Sequence, residues 1–531
     1  MLSLQERRIP DMSTSLLCVA AGTLAAVTSL VVLNSRQRAR SDFSHSNEIY
    51  IPNRSHGNEA NVADAARIPR TNSTADLVAH SNGTNGDRGL PAHPEGPNIG
   101  PGSENSWFRE ERDLPPKTDL LHTGHSKGGK LVVVMVGLPG RGKTYISRKV
   151  ARYLRWINYR TRAFSLARYR IEKCGAGLKS EFYDNADDEN VAMRMEVLSA
   201  AMDDVMEYLS QNGEVAILDG TNFSRHRRQL IRDRVAQADG FEVLWIESIC
   251  EDPKVLNRNV EELKESSPDY VDDADFEQRL DYYKAHYETV GVDEGSFVKS
   301  YDAGVRIEIH AAQGFVPTKI TSFLMNLHVE GKSVFISRHG ESVFNTQGLI
   351  GGNPPLSPLG EEYAEVLKEF VGQTEELSSN NLSLWSSTMS RARQTASEIP
   401  RRRYVQWRAL REIEVGVCDG MTYAQVKENF PKEYAAREHD KLRYRYPRGE
   451  SYLDIIARLE PVIFEMERQK APLLIIAHQA VLRCLYAYFL DLPSEEIPYL
   501  SIPLHTVIKL TPQAFGCSER RFKLLDDSHG P

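Results

Sequence analysis

Glycine, lysine and threonine residues in the first third of the chain have the spacing of a phosphate-binding loop. Gly137, Gly142, Lys143 and Thr144 fit the pattern G-x-x-x-x-G-K-[ST]. Glycines there let backbone N–H groups converge on a polyphosphate at a helix N-terminus. Lys143 would neutralise the β- and γ-phosphates, and Thr144 would reach Mg²⁺. The alternative is a glycine turn before a surface helix. Because the motif stands between an apolar run and a helical spacing, we predict a nucleoside triphosphate site.

A second set of reactive side chains lies at the ends of two apolar runs in the C-terminal part of the chain. The tripeptide Arg338-His339-Gly340 follows one run, and His478 ends the other. Together with Arg391, these residues predict a phosphate pocket. His339 would attack phosphorus as a covalent nucleophile. Arg338, Arg391 and His478 would hold the equatorial oxygens. A single histidine is more often structural, so the prediction depends on the combination. Because no triplet of His, Asp or Glu has metal spacing, we expect no metal here.

Acidic, thiol and basic residues add to the first site. Asp219 ends an apolar run, where an acid completes the Mg²⁺ site of phosphate-loop enzymes. It could instead accept a proton from an attacking hydroxyl, or merely cap a helix; we favour a catalytic role. Cys250 ends another run and is expected to be a buried core thiol. Several basic side chains of this region are expected to converge on a phosphorylated acceptor. The basic residues are Arg168, Arg170, Arg194, Arg225, Arg227, Arg228, Lys264 and Arg279.

The elements that must position these residues follow from the apolar pattern. Continuous runs at 131–136, 214–218 and 241–250 predict buried strands of one mainly parallel sheet. Apolar runs at 332–337 and 473–477 predict strands of a second domain, and the stretch 382–387 lies between them. Apolar residues at 146, 150, 154 and 157 predict a helix after the phosphate loop, and 480–490 predicts another after His478. The predicted fold class is therefore α/β, with domains at 128–328 and 329–531.

Composition narrows the function classes. The chain has 531 residues, a net charge of −8 and 41% hydrophobic residues. This is enough for sizeable cores, and the acidic balance argues against a nucleic-acid binder. Six cysteines occur without a C-x-x-C pair or zinc spacing. They indicate reduced thiols and hence a cytoplasmic protein.

The first 127 residues are expected to lie outside the folded domains. Within the leader, 1–40, the uncharged run 16–33 is at the short end for a membrane span. Two interpretations stay open: an anchor with the catalytic part in the cytosol, or a disordered leader. Residues 41–127 are rich in Asn, Ser, Gly, Pro and His and lack apolar periodicity. They predict a disordered low-complexity tether.

The order of motifs from about residue 129 to 520 resembles the 6-phosphofructo-2-kinase/fructose-2,6-bisphosphatase family. The matching stretches are GLPGRGKTYIS, LDGTNFSRHRR, WIESICEDP, SSPDY, SRHGES, GVCDGMTY, DKLRYRYPRGESY, AHQAVLRCLYAYFLD and PLHTVIKLTP. The resemblance implies a P-loop kinase domain that uses ATP and Mg²⁺ to phosphorylate the 2-hydroxyl of fructose 6-phosphate. It implies a second domain of the histidine phosphatase superfamily, with a phosphoglycerate mutase-like fold and no cofactor. That domain would remove the same phosphate from fructose 2,6-bisphosphate. A homodimer is implied as well.

The resemblance also implies the site residues of the kinase. Those for ATP are Gly137, Leu138, Pro139, Gly140, Arg141, Gly142, Lys143, Thr144, Tyr145, Asn259 and Lys264. Those for fructose 6-phosphate are Arg170, Arg194, Thr221, Arg227, Lys264, Arg279 and Tyr283. Asp219 and Cys250 match active-site positions, although no step of phosphoryl transfer needs a thiol.

In the second domain, the resemblance implies that His339 forms the phosphohistidine and that Glu412 protonates the leaving alcohol. Arg391 and His478 match the pair that stabilises the phosphate. Contacts to the bisphosphorylated sugar are implied for Arg338, Asn345, Gly351, Tyr423, Arg437, Lys441, Tyr452, Gln479 and Arg483. Because a nucleophilic imidazole must be neutral, activity is expected to fall below about pH 6.5, unless neighbouring charges move the pKa.

One position departs from the family pattern. The family has Tyr-Arg-Arg where this chain has Tyr169-Arg170-Ile171, and the second arginine contacts the sugar phosphate in the family. Arg168 or Lys173 could replace it. Two other functions stay open: one active half only, with the bisphosphatase favoured, or a polynucleotide-type P-loop kinase/phosphatase. The stretch Asp219-Gly-Thr-Asn222 supports the latter, but the acidic net charge and the Arg-His-Gly phosphatase count against it.

Overall fold

The computed structural model describes residues 129–328, 332–378, 381–400, 403–513 and 516–526. The leader, anchor and tether predictions concern residues 1–127 and lie outside these ranges. Among the helices within these ranges, none combines the length and the apolar content that crossing a membrane requires.

The first sheet is built from strands within residues 130–310 and has the order β2-β3-β1-β4-β5-β6. The strands are β1 (Lys130–Val136), β2 (Thr161–Ser165), β3 (Val215–Asp219), β4 (Phe241–Ile249), β5 (Phe297–Tyr301) and β6 (Arg306–His310). Neighbours from β2 to β5 pair in parallel, and β6 pairs with β5 antiparallel. The predicted strands are confirmed as β1, β3 and β4, which lie side by side. The mainly parallel sheet is also confirmed.

Both faces of this sheet are buried, because alternate residues of β1 enter different cores. Leu131, Val133 and Met135 belong to one apolar cluster, while Val132 and Val134 belong to another. Such burial explains why the strand is a continuous apolar run. The helices of this domain are α1 (Lys143–Trp156), α2 (Leu166–Cys174), α3 (Asp188–Gln211), α4 (Arg225–Val235), α5 (Pro253–Ser266), α6 (Asp273–Ala285) and α7 (Phe315–Asn326).

The second sheet has the order β12-β11-β7-β10-β8-β9. Its strands are β7 (Val334–Arg338), β8 (Ser383–Ser387), β9 (Arg403–Trp407), β10 (Leu473–Ala477), β11 (Thr506–Gln513) and β12 (Gly516–Lys523). The strands β7, β10, β8 and β9 are parallel, whereas β11 is antiparallel to both β7 and β12. The predicted strands of the second domain are confirmed as β7 and β10, and the stretch 382–387 contains a further strand, β8.

Helices also surround the second sheet, whose central strand β10 sends alternate residues into two apolar clusters. They are α8 (Val343–Thr346), α9 (Pro358–Gln373), α10 (Glu375–Ser378), α11 (Ser390–Ala396), α12 (Tyr423–Asn429), α13 (Pro431–His439), α14 (Tyr452–Arg468) and α15 (Gln479–Leu490). Short 3₁₀ turns occur at Ser180–Tyr183, Val292–Glu294, Asp302–Gly304, Arg408–Leu410, Gly416–Cys418 and Ser494–Tyr499. The predicted helix after His478 is confirmed as α15.

Helix α1 packs against α14 and α15, so the helix that begins at the phosphate loop also touches the second domain. Tyr153 stacks on Phe323 with ring centroids 4.6 Å apart. Its hydroxyl donates to Glu460 Oε1 on α14 at 2.5 Å. The indole Nε1 of Trp156 donates to the carbonyl of Cys484 on α15 at 2.8 Å. Apolar residues of both domains therefore form one continuous core.

Candidate active sites

The loop between β1 and α1 has the geometry of a phosphate cradle. Gly137 and Gly142 have φ values of 140° and 78°, a region that favours glycine. A Cβ on Gly137 would lie 2.5 Å from the carbonyl oxygen of Ser248, so that neighbour enforces the glycine. The N-terminus of α1 has no side-chain cap. Its first N–H groups are therefore available to an anion.

Lys143 lies over this loop. It is buried, and its Nζ donates to the carbonyl of Leu138 at 2.6 Å. Burial lowers the pKa of Lys143 to about 8, while the nearby Asp219 acts in the opposite direction. Arg141 folds back onto the same loop and donates to the carbonyl of Pro139 at 3.3 Å. The positively charged side chain of Lys143 thus lies at the centre of the loop.

Asp219 and Thr144 fit a magnesium ion. The Asp219 side chain is buried at the end of β3 and accepts a hydrogen bond from the Thr144 hydroxyl. Its other oxygen, Oδ1, is buried without a hydrogen-bond partner, which suits a cation that prefers oxygen ligands. Burial raises the pKa of Asp219, whereas Thr144 and Lys143 lower it. The helix-cap alternative does not hold, because Ser224 caps the helix that follows.

Of the other residues predicted to bind ATP, one contacts the phosphate loop and two have partners elsewhere. The Nδ2 of Asn259 donates to the carbonyl of Gly140 at 2.9 Å, so Asn259 steadies the loop. Tyr145 instead reaches toward the second domain and donates to the carbonyl of His328 at 3.2 Å. Lys264 forms an ion pair with Asp273 at 2.6 Å on the surface. The structure therefore gives the Tyr145 and Lys264 side chains partners other than the phosphate loop.

Most of the predicted sugar-phosphate residues meet around one half-buried tyrosine ring. They are Arg194, Thr221, Arg227, Arg279 and Tyr283. Tyr283 forms a hydrogen bond with the Thr221 hydroxyl and packs against Phe223, with ring centroids 4.9 Å apart. Burial lowers the pKa of Arg227 to about 10; Tyr283 raises it and Arg194 lowers it. Half-buried arginines that crowd one another are suited to binding a phosphate dianion.

Asn222 connects this cluster to the phosphate loop, and the sequence analysis did not assign it. It is fully buried with φ 41°. Its Nδ2 donates to the carbonyl of Met135 at 2.9 Å, and its Oδ1 accepts from Arg227 Nε at 3.2 Å. The backbone N–H of Gly137 also donates to the carbonyl of Thr221 at 2.9 Å. The Asp219-Gly-Thr-Asn222 stretch was the available signal.

Other basic residues of the first domain are held in ion pairs. Arg170 pairs with Asp269 in a buried contact and donates to the carbonyl of Gly175 at 3.3 Å. Arg228 is fully buried and pairs with Glu294 at 2.7 Å. Arg168 and Arg225 pair with Glu172 and Asp293 at the surface. The expected convergence of basic residues is therefore limited to the Tyr283 cluster, and Arg170 has a protein partner instead.

Cys250 follows β4 and is buried, which confirms the expectation of a core thiol. Burial raises its pKa, so the sulfur stays protonated at neutral pH. Electrostatic interactions place it near Arg141 of the phosphate loop. Within the described ranges, Cys174, Cys250, Cys418, Cys484 and Cys517 are free thiols.

In the second domain, the two predicted histidines follow adjacent parallel strands. Arg338 at the end of β7 lies opposite Ala477 at the end of β10. The backbone N–H of His339 donates to the carbonyl of Ala477 at 3.0 Å. The imidazole rings of His339 and His478 are 5.0 Å apart between centroids. Strand pairing thus brings together residues that are far apart in sequence.

The hydrogen bonds of His339 define its reactive nitrogen. Its Nδ1 lies 2.6 Å from the carbonyl oxygen of Gly340, which can only accept, so Nδ1 carries the proton. Its Nε2 accepts a hydrogen bond from Arg391 Nε at 3.1 Å. Burial lowers the pKa of His339 well below 6.5, and the charges of Arg391 and Arg338 lower it further. Nε2 therefore carries the lone pair of a neutral imidazole, as a nucleophile requires.

The side chain of His478 is fully buried, yet neither ring nitrogen has a hydrogen-bond partner. A buried polar group without a partner is costly, so this ring is suited to a polar ligand. The guanidinium of Arg338 donates to the carbonyl of Ile502 at 3.2 Å, and that of Arg391 to the carbonyl of Gly352 at 3.1 Å. Both guanidinium groups are close enough to His339 for their charges to act on its ring, so a phosphate at Nε2 would meet positive charge.

Glu412 lies beside this group, on a segment without regular secondary structure. Its Oε1 accepts from the backbone N–H of Ala480 at 3.1 Å and of Ile413 at 3.0 Å. It is also near enough to Arg391 to interact electrostatically. The structure therefore brings together all the residues predicted for the phosphatase chemistry: Arg338, His339, Arg391, Glu412 and His478.

Several predicted sugar contacts of this domain are held by protein partners, and Arg437 and Lys441 share the carboxylate of Glu438. Arg437 donates to the hydroxyl of Tyr423 at 3.0 Å. Arg483 donates to the hydroxyl of Tyr452 at 3.0 Å. Lys441 pairs with Glu438 at 3.2 Å.

Three further predicted contacts occupy helix starts and a turn. Gln479 is the first residue of α15, directly after His478. Asn345 uses its Oδ1 to accept from the backbone N–H of Ser342 at 2.9 Å, as part of the capping box of α8. Gly351 has φ 79°, and a Cβ there would collide with Asp419. The Asn345 oxygen is thus already engaged by the protein.

The fold and the two sites define a class of protein: a P-loop kinase joined to a histidine phosphatase. Residues 119–331 match the family model of 6-phosphofructo-2-kinase, and residues 334–524 match that of the histidine phosphatase superfamily, branch 1. The 6-phosphofructo-2-kinase/fructose-2,6-bisphosphatase of Gallus gallus is 47% identical, covering 73% of this chain and 83% of its own length. This chain belongs to the 6-phosphofructo-2-kinase/fructose-2,6-bisphosphatase family. The kinase domain implies the use of ATP.

Two other similarities were found. The Homo sapiens 6-phosphofructo-2-kinase/fructose-2,6-bisphosphatase 1 is 46% identical, covering 73% of this chain and 83% of its own. Among solved structures, a putative alpha-ribazole-5'-P phosphatase from Escherichia coli is 22% identical with a TM-score of 0.33. It covers 36% of this chain and 97% of its own.

Proposed function

We propose that the first domain transfers the γ-phosphoryl group of ATP to the 2-hydroxyl of fructose 6-phosphate, and that the second hydrolyses fructose 2,6-bisphosphate at the same position. The chain would thereby set the level of a glycolytic regulator. The observation that carries the kinase proposal is the hydrogen bond from Gly137 to Thr221. It joins the phosphate loop to the arginine cluster, so a nucleotide and a phosphorylated sugar can lie side by side. The identity of the sugar substrate is inferred from the names of the relatives.

In the proposed kinase reaction, Lys143 and the N-terminus of α1 bind the β- and γ-phosphates. Mg²⁺, held by Thr144 and Asp219, would neutralise charge on those phosphates. Arg194, Arg227 and Arg279 would bind the 6-phosphate of the sugar. In the alternative to Mg²⁺ binding, Asp219 would accept the proton of the 2-hydroxyl, and a raised pKa favours that role.

In the proposed phosphatase reaction, Nε2 of His339 attacks the 2-phosphate. The N–P bond forms, the P–O2 bond breaks, and Glu412 gives its proton to the leaving O2. Water then attacks the phosphohistidine and gives a proton to Glu412. This step releases inorganic phosphate and restores His339. Arg338, Arg391 and His478 hold the phosphate oxygens throughout.

Assays of the purified full chain test both proposals. With ATP and fructose 6-phosphate it should form fructose 2,6-bisphosphate, and with that product alone it should release equal amounts of phosphate and fructose 6-phosphate. A 5′-hydroxyl oligonucleotide offered with labelled ATP should stay unlabelled. A labelled oligonucleotide would instead support the polynucleotide alternative, and activity in one assay only would support a single active half.

The departure at Ile171 gives a prediction for the kinase. Replacing Ile171 by arginine should lower the KM for fructose 6-phosphate about ten- to a hundredfold, because a charge-assisted contact to phosphate is worth about 1.5–3 kcal/mol. The neighbours Arg168 and Lys173 already pair with Glu172 and Glu196, so neither replaces the missing arginine without losing a partner. Initial rates at varied sugar concentration measure the effect. The KM for ATP should not change, and an unchanged sugar KM would contradict the prediction.

We also propose that the chain forms a homodimer through β6. This strand lies at an edge of the first sheet among the described strands. Val305 before it is 85% exposed and Ile309 within it is 45% exposed. An edge strand with exposed apolar residues can pair with a second copy. Sedimentation equilibrium should give twice the mass of one chain, and Val305→Glu should reduce it; a monomeric wild-type chain would contradict the proposal.

The domain limits and the location of the chain are proposals as well. We propose a kinase domain at 128–328 and a bisphosphatase domain at 329–531, working in the cytosol, where free thiols and the proposed metabolites occur together. Two interpretations stay open for the segment 16–33. It is either an anchor that tethers the catalytic part to a membrane or a disordered leader.

A further inference from the structure

The guanidinium of Arg458, on α14, is the centre of a hydrogen-bond cluster beside Glu412. Its Nε and Nη2 donate to the two carboxylate oxygens of Glu450 at 2.8 and 3.0 Å. Its Nη1 donates to the carbonyl of Ala409, and its Nη2 also donates to those of Arg411 at 2.7 Å and Glu412 at 3.3 Å. One side chain therefore binds a carboxylate on one side and backbone carbonyls on the other.

These carbonyls belong to the segment that carries the proposed proton donor. Residues 411–415 form neither helix nor strand, so their backbone groups need partners from elsewhere in the protein. Glu450 holds the far end of the segment, because its Oε2 accepts from the N–H of Glu414 at 3.0 Å and its own N–H donates to the carbonyl of Glu414 at 2.8 Å. The backbone is thus tied on both sides of Glu412, while the Glu412 carboxylate meets the start of α15 next to His478.

We infer that Arg458 is a positioning residue of the phosphatase, which fixes the backbone of Glu412 so that its carboxyl group lies at the leaving oxygen. This inference rests on the phosphatase function proposed above. Arginine suits the task because its planar fork offers five N–H donors in fixed directions, whereas lysine offers a compact ammonium. A shift of a catalytic group by about 1 Å can cost about a hundredfold in rate.

The test compares two substrates with the full-length Arg458→Lys variant. Fructose 2,6-bisphosphate has an alkoxide leaving group that needs a proton, whereas p-nitrophenyl phosphate has a leaving group that needs little help. The variant should lower kcat for the bisphosphate about 10- to 100-fold, with little change in KM or in the rate on p-nitrophenyl phosphate. Glu412→Gln should show the same dependence on substrate. The double variant should be about as slow as Glu412→Gln alone, because both changes act on one group.

Arg468→Lys is the matched control, since Arg468 lies on the same helix and pairs with Glu465 at the surface; its rates should equal those of the wild type. Equal losses on both substrates with the kinase intact, or no loss at all, would overturn the inference for Arg458. If Arg458→Lys also loses the kinase through misfolding, Glu450→Gln is measured on the same two substrates, and the same outcomes decide. A wild-type chain that releases no phosphate from fructose 2,6-bisphosphate would instead contradict the proposed function itself.

Discussion

Replacing His339 by alanine is expected to abolish the phosphatase, with a loss of at least about a thousandfold, and to leave the kinase unchanged. The reason is that His339 Nε2 would form the bond to phosphorus, and neutral water cannot replace it. With substrate labelled at the 2-phosphate, the wild type should carry a label that acid removes and base does not, as expected for a phosphorylated imidazole. His339→Ala should carry none.

The His478→Ala variant distinguishes the roles of the two histidines. It should slow turnover while still allowing the label, because His478 only holds phosphate oxygens in the proposed mechanism. The exposed His226 provides a control whose replacement by alanine should change neither activity. A label that persists in His339→Ala and disappears in His478→Ala would show that the nucleophile is His478.

The pH dependence of the phosphatase follows from the environment of His339. The sequence alone predicts a fall in activity below about pH 6.5. In the structure, burial and then Arg391 and Arg338 lower the pKa of His339 well below 6.5. Because a lowered pKa means that the ring stays neutral to a more acidic pH, kcat/KM should remain level through pH 6.5 as pH falls and decline only below it.

Replacing Lys143 by methionine is expected to abolish the kinase, by at least about a hundredfold, and to spare the phosphatase. Methionine keeps the length of the side chain but removes the ammonium that would neutralise the β- and γ-phosphates. Lys143 is buried against Leu138 in the phosphate loop, so solvent cannot supply a substitute charge. Rates of both reactions on the same preparation measure the effect. Equal loss of the two activities in a folded variant would contradict the presence of two separate sites.

Lys254→Met is the control for this substitution, since Lys254 is exposed on α5. The titration of Lys143 gives an additional signature. Because burial lowers its pKa to about 8, part of the population is neutral above that pH in the free enzyme. The Kd for ATP of the wild type should therefore rise as pH increases beyond about 8, and Lys143→Met should lack this rise.

The sequence predicted the strands that carry the chemistry, because those strands are buried on both faces. Apolar runs mark β1, β3, β4, β7 and β10, and the reactive residues follow directly at their ends. The edge strands could not be predicted in this way. β6 reads Arg-Ile-Glu-Ile-His and β12 is mostly charged or polar, since an edge strand is only partly buried.

Contacts between residues that lie far apart in the sequence could not be predicted either. Arg458 lies 46 to 49 residues from the carbonyls it binds, and Arg170 lies 99 residues from Asp269. A pattern of neighbouring residues carries no information about contacts at such sequence separations. The resemblance assigned Arg170 to the sugar, and only the three-dimensional arrangement shows its ion pair. The convergence on Tyr283 likewise depends on the packing of α3, α4 and α6 rather than on spacing.

The Glu467 carboxylate at the contact between α1 and α14 has a consequence for how the chain unfolds. It is buried and accepts from Lys149 at 2.9 Å and Arg152 at 3.2 Å in the first domain, and from Tyr488 at 2.5 Å in the second. Burial raises its pKa, but Lys149 and Arg152 outweigh burial and hold it below the ordinary value. Removing one partner of a buried ion pair costs about 3–5 kcal/mol, a large part of a domain's stability. We therefore expect the two domains to melt as one cooperative unit, and a chain cut between them should lose thermal stability relative to the intact chain.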